Sequence, residues 1–174
     1  MAIEFNIMQS EKIAGVYILT PSVGEDLRGN IWTSFVSDDV QSLITDGSKF
    51  KHDKFSKSKK NVLRGIHGDT KSWKLVTCVY GKMQQVVVDM RPDSPTYLQW
   101  QDFIIDSDSP QLILIPPYMG NAYYNLGDDL VYQYKLAYDG DYIDADEQFS
   151  EKWNDEKIGI KWLAENPILW GRDE

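Results

Sequence analysis

The apolar residues of this chain recur at every second position in short runs, and turn-forming residues interrupt each run before a helix-length stripe can develop. Side chains of an extended strand alternate between its two faces, so this period predicts a mostly β protein. Candidate strands are Ile13 to Leu19, Ile31 to Phe35, Phe50 to Phe55, Val62 to Ile66, Lys74 to Tyr80, Met83 to Asp89, Leu98 to Ile105, Gln111 to Ile115, Ala122 to Leu126 and Leu130 to Ala137. Tyr80-Gly81-Lys82 reads as a hairpin turn and Asp106-Ser107-Asp108-Ser109-Pro110 as a longer loop. One or two short helices are expected, over Asp38 to Ile44 with Ser37 as cap and near Glu147 to Asn154. Ten short strands in about 125 residues suit a closed antiparallel sandwich or barrel, and the jelly roll is the commonest solution at this size. Residues 1–174 are expected to form one domain, because the length suits a single core and no repeat or linker divides it.

Charge narrows the partners. With 27 acidic and 18 basic residues the formal net charge is -9, and no basic block exceeds Lys57-Ser58-Lys59-Lys60, so a nucleic-acid partner is not expected. The single cysteine, Cys78, has no intramolecular disulfide partner. The start Met1-Ala2-Ile3-Glu4-Phe5-Asn6 has neither a basic leader nor an apolar run, and no stretch reaches the roughly 18 apolar residues of a membrane span. A cytoplasmic protein without a membrane partner is the expectation.

A jelly-roll barrel has a mouth that can hold a small ligand. In Leu130-Val131-Tyr132-Gln133-Tyr134-Lys135-Leu136 the even-numbered residues share the more apolar face, which sends Tyr132 and Tyr134 inward. Either tyrosine taken alone reads as a packing residue with its hydroxyl satisfied at the rim. Many barrels of this kind hold iron, manganese or zinc through a His-x-His pair, a Glu and a third His. Here His52 and His67 are the whole imidazole inventory, so neither a metal nor another cofactor is expected. Phosphate-cradling glycine loops and a serine nucleophile elbow are also absent.

One tetrapeptide, Arg64-Gly65-Ile66-His67, carries an imidazole able to act as a base near neutral pH. A lone histidine beside an apolar residue is more often a satisfied polar group, so its surroundings decide. On a regular strand Arg64 and His67 point to opposite faces, and a bulge or bend at Gly65 is required for both to line one pocket.

Together with the stretches Asp26-Leu27-Arg28-Gly29, Phe50 to Ser58, Val62 to His67, Gly81 through Asp89 to Thr96, Ile115-Pro116-Pro117, Tyr134-Lys135 and Trp153 to Trp162, this tetrapeptide resembles the dTDP-4-dehydrorhamnose 3,5-epimerase family from Asp26 to Asp173. These are metal-free cupins acting on nucleotide-linked 4-keto sugars. Within the family the chain is most similar to capsular polysaccharide enzymes that epimerise GDP-linked 4-keto heptoses, through the opening Met1-Ala2-Ile3-Glu4-Phe5, Arg64 to Asp69 and Met119-Gly120-Asn121.

The resemblance implies a chemistry. A 4-keto group acidifies the C–H bonds at C3 and C5, so a base can remove a proton and an acid can return one on the opposite face. By resemblance the base is His67, oriented by Asp173, which fixes its tautomer and steadies the imidazolium. The opposite-face acid is Tyr134, thirteen residues after the first residue of the segment Asn121-Ala122-Tyr123, with Tyr132 as a pocket neighbour. Lys74 matches the lysine that holds charge on the C4 oxygen, and Arg28 and Arg64 match arginines that grip the sugar or diphosphate. The resemblance also implies a homodimer whose N-terminal strands pair across subunits.

Several positions depart from the family pattern. Asn121 replaces a second histidine and cannot shuttle protons, though it can still polarise a keto oxygen. His52 and Lys54 stand where the rhamnose-pathway members carry Gln and Asn against the sugar, and Trp170 replaces a small serine ahead of Asp173. The expected function is epimerisation at C3, C5 or both of a GDP-linked 4-keto sugar, a heptose by the closer likeness. A nucleotide-sugar 3,4-ketoisomerase and a non-catalytic sugar-binding cupin are the alternatives.

Overall fold

The computed structural model describes residues 4–173. One sheet runs in the order β1 (Phe5–Gln9), β2 (Tyr17–Pro21), β10 (Leu112–Ile115), β7 (Trp73–Tyr80), β12 (Asp129–Tyr138) and β5 (Lys49–Lys59). The second runs β13 (Phe149–Ser150), β6 (Leu63–Gly68), β11 (Met119–Asn125), β8 (Lys82–Asp89) and β9 (Trp100–Asp106). Their ladders are antiparallel, which is the expected all-β jelly-roll sandwich. A separate ribbon, β3 (Val23–Asp26) with β4 (Gly29–Trp32), and one helix, α1 (Ser37–Gln41), complete the regular structure.

Both sheets are covered on both faces. Between them lie Ile18, Val76, Cys78, Met83, Val87, Ile105, Ile113 and Leu130. Outside the six-stranded sheet, Leu19, Leu75, Leu112 and Leu114 pack against Val40 and Ile44 of the α1 region. Outside the five-stranded sheet, Ile66, Val86, Val88 and Ala122 pack under Ile158, Ile160 and Trp162 of the C-terminal segment. Burying each such side chain contributes about 1.5–3 kcal/mol, and double coverage explains why Trp73–Cys78 and Met83–Asp89 are buried at every position rather than at alternate ones.

Four expectations need correction. Among the described residues thirteen strands form instead of ten, because β1, β3 and β13 are short pieces fixed by pairing rather than by their own apolar pattern. The helix expected near Glu147 to Asn154 is a 3₁₀ turn at Ala145–Glu147 followed by β13, whose Phe149 and Ser150 pair with Gly68 and His67. Ser37 does not cap α1: Val36 is the cap residue, and it makes no side-chain capping hydrogen bond. Tyr80-Gly81-Lys82 is a turn but not a hairpin, since β7 and β8 belong to different sheets. Gly81, at φ +90°, carries the chain across, and a side chain there would strike the Asp129 carbonyl.

Candidate active site

The expected irregularity at Gly65 is present. Arg64 sits opposite Tyr123 and His67 opposite Asn121, so Gly65 and Ile66 together face the single residue Ala122. Gly65 has φ +117°, and a Cβ there would lie 2.5 Å from the Ala122 methyl and 2.6 Å from the Asn121 carbonyl oxygen. The extra residue shifts strand parity by one. Arg64 and His67 therefore line the same cavity, which holds about 290 Å³ between the ends of the two sheets.

His67 is fixed from the C-terminus. Asp173, buried in a 3₁₀ turn at Gly171–Asp173, places Oδ1 2.8 Å from His67 Nε2. The same oxygen accepts the Gly65 N–H at 3.0 Å, and Oδ2 accepts the Trp170 N–H at 3.2 Å. Burial pushes this carboxyl pKa up, but the contacts with His67, Gly65 and Trp170 outweigh it and leave it below the usual value. The substitution at Trp170 leaves Asp173 in reach because the contact uses the backbone; the indole itself stands exposed at the cavity rim.

Across the cavity, β12 supplies the tyrosines. Tyr132 is fully buried, stacks on Tyr123 with ring centres 4.3 Å apart, and bonds Asn121 through its hydroxyl. Tyr134 is half-buried, and its hydroxyl makes no hydrogen bond to a described residue. Burial raises the Tyr134 pKa, only partly opposed by Lys54 and Arg64, so the phenol keeps its proton at neutral pH. The two walls thus offer a nitrogen base beside a carboxylate and a protonated phenol.

Lys74, on β7, is buried, with Nζ 3.7 Å from Asp69 Oδ2. Burial pulls its pKa below the usual lysine value, with Asp69 opposing. Arg64 donates from Nε to Ser58 Oγ at 3.2 Å, and Ser58 in turn bonds Tyr123. Asn121 accepts from Gln85 at 2.6 Å, which fixes its amide towards Tyr132. Lys54 donates to the Tyr142 hydroxyl at 2.7 Å; burial pulls its pKa down, but Tyr142 and its neighbours more than offset this.

Two expected site residues stand apart. His52 faces the same side of β5 as Lys54 but lies behind Tyr142, packed edge-on to that ring and to Tyr138, and does not line the cavity. Arg28 sits at the turn of the β3–β4 ribbon with an 89% exposed side chain bound to Asp26, away from the cavity of its own chain. Conversely, Tyr142, Asp144, Gln148 and Arg172 line the cavity without having been singled out. Arg172 is the most consequential, since its Nε lies 3.0 Å from His67 Nε2; its place beside Asp173 was the signal available. Among the described residues no group of three or more His, Cys, Asp or Glu side chains could hold a metal, and no helix is long and apolar enough to cross a membrane.

The family model of dTDP-4-dehydrorhamnose 3,5-epimerase matches residues 10–174. This chain belongs to that family. The dTDP-4-dehydrorhamnose 3,5-epimerase of Salmonella typhimurium is 35% identical over 92% of this chain and 88% of its own length. The solved dTDP-6-deoxy-D-glucose-3,5-epimerase of Legionella pneumophila, in complex with dTDP-4-keto-L-rhamnose, superposes with a TM-score of 0.89 at 29% identity, covering 98% of this chain and 90% of that one. A 3'-monoepimerase from Streptomyces bikiniensis in complex with dTDP-quinovose superposes at 0.85 and 26% identity, over 95% and 84% of the two chains. The solved structures of similar fold thus carry names that specify one inverted carbon or two.

Proposed function

We propose that this chain epimerises a nucleotide-linked 4-keto sugar at C3, C5 or both, without a metal or other cofactor. The observation that carries the reading is the pairing, across one cavity, of the Asp173-supported imidazole of His67 with the unbonded, protonated hydroxyl of Tyr134. His67 removes the proton next to the keto group, Tyr134 returns one from the other face, and Lys74 holds the charge that develops on the C4 oxygen. Arg64 and Lys54 at the cavity wall supply positive charge for the sugar and its diphosphate, with Tyr132 and Asn121 completing the lining.

The relatives' names point to a dTDP-linked 6-deoxy sugar, and that is the first substrate to test. The relatives named above carry dTDP in their names, not GDP. A GDP-linked 4-keto heptose is nevertheless the second reading, favoured by the cavity itself. Gln148 and Asp144 add polar side chains to its lining, suited to a C5 substituent that carries hydroxyls rather than a bare methyl. Incubating each substrate with the enzyme in deuterated water and following C3 and C5 by NMR tests both readings. Exchange is expected at C3, C5 or both, and faster with the true substrate. No exchange with either sugar sinks the epimerase; a 3-keto product instead indicates a ketoisomerase, and binding without chemistry a sugar-binding cupin.

We also infer a homodimer. β1 is an edge strand, and the β3–β4 ribbon exposes Val23, Leu27 and Ile31. Light scattering on the eluting protein should give twice the chain mass, and Leu27→Asp should shift it towards the monomer.

A further inference from the structure

Two neighbouring residues make conflicting demands on one atom. His67 Nε2 lies 2.8 Å from Asp173 Oδ1 and 3.0 Å from Arg172 Nε. A carboxylate only accepts hydrogen bonds and a guanidinium only donates them. Nε2 satisfies Asp173 when it carries the ring proton and Arg172 when it carries the lone pair, so it cannot satisfy both. The choice sets the other end of the ring. With the proton on Nε2, Nδ1 has a lone pair and can take a proton from a ligand; with the proton on Nδ1, it cannot.

We propose that Arg172 is a positioning residue that holds His67 in the resting tautomer of the empty pocket, and that the anionic diphosphate of a nucleotide ligand draws its guanidinium away and leaves Nε2 to Asp173. The inference rests on the reading of His67 as the base. Arg172 is poised for such a move because its remaining contacts are neutral acceptors, the Ala145 carbonyl at 2.7 Å and Gln148 Oε1 at 3.0 Å. The Arg172–His67 bond joins a charged donor to a neutral acceptor, whereas a phosphate adds a full opposite charge and takes the guanidinium fork bidentately, so a phosphate oxygen outcompetes a ring nitrogen. Asp173 does not need to follow, since the Gly65 and Trp170 N–H groups hold it in either state. Ligand entry thereby switches the base on.

The chain has only two histidines, so ¹⁵N-histidine labelling at mildly alkaline pH reads the tautomer directly, with His67→Asn assigning the signals. In the empty wild-type protein the His67 proton is expected on Nδ1. Saturating dTDP or GDP should move it to Nε2, and Arg172→Met should put it there without ligand. A proton on Nε2 in the empty wild type, a spectrum unmoved by both nucleotides, or Arg172→Met indistinguishable from wild type overturns the proposal. If Arg172→Met does not fold, the wild-type arm with and without nucleotide decides. Deuterium exchange into a dTDP- or GDP-linked 4-keto sugar, measured on the same protein without added nucleotide, separates failure of the tautomer switch from failure of the epimerase reading.

Discussion

The two walls of the cavity are built on opposite principles. The β6 wall presents His67 with one nitrogen in reach of both a buried carboxylate and a guanidinium that compete for it, over a strand bulged at Gly65. The β12 wall presents Tyr134 on a regular stretch of strand, packed against aromatic rings, with no hydrogen bond from its hydroxyl to a described residue. The difference follows from what each group does in the proposed reaction. A base that becomes an imidazolium needs a counter-charge in a low-dielectric site, whereas an acid that must stay protonated needs only burial. Before the reaction, one wall is built to stabilise a charge and the other to keep its acid neutral.

This contrast can be broken experimentally. The largest effect is expected from His67→Asn, which should cost roughly 10²- to 10⁴-fold in turnover, the range of general-base help, with an unchanged circular dichroism spectrum. Asp173→Asn should come next, with a smaller loss than His67→Asn because the imidazole remains and only its orienting carboxylate is gone, and steady-state turnover measures it. Lys74→Met should lower turnover by roughly 10²- to 10³-fold, as removal of one oxyanion donor does, with a smaller change in KM.

The smallest effect on catalysis is expected from a third buried carboxyl, Asp89. It is held by Arg91, Ser94 and Thr96 in a loop away from the cavity. Burial alone raises its pKa, yet these bonds bring it down from 3.8 to about 2. A depressed folded value means stability that is present above the unfolded value and lost as pH falls towards about 2. Asp89→Asn should therefore cost about 2 kcal/mol in neutral urea melts, shrink the acid sensitivity between roughly pH 4 and 2, and spare turnover. A loss of turnover without loss of stability contradicts that division.

The β6 and β12 walls were also unequally legible in the sequence. Strand parity placed Tyr132 and Tyr134 on the inner face, and the odd spacing of Arg64 and His67 required the bulge at Gly65 that the structure contains. Parity works where a strand is long and one face differs from the other. It fails in the segment after β12, where Tyr142, Asp144 and Gln148 reach the cavity through loop contacts that have no period. It also could not show that Gly81 joins two sheets, because a tight turn reads the same whether its strands pair or part. His52 shared the correct face of β5 but is screened by Tyr142, a contact between residues 90 positions apart. Arg28 was matched by motif, yet its ribbon stands apart from both sheets of its own chain.

The most direct test of two walls with separate duties is deuterium wash-in compared with inversion in Tyr134→Phe and His67→Asn. If His67 removes the proton and Tyr134 returns one to the other face, Tyr134→Phe should still exchange deuterium next to the keto group while inverting little or nothing, and His67→Asn should do neither. Exchange that survives in His67→Asn, or that is lost in a folded Tyr134→Phe, contradicts the assignment.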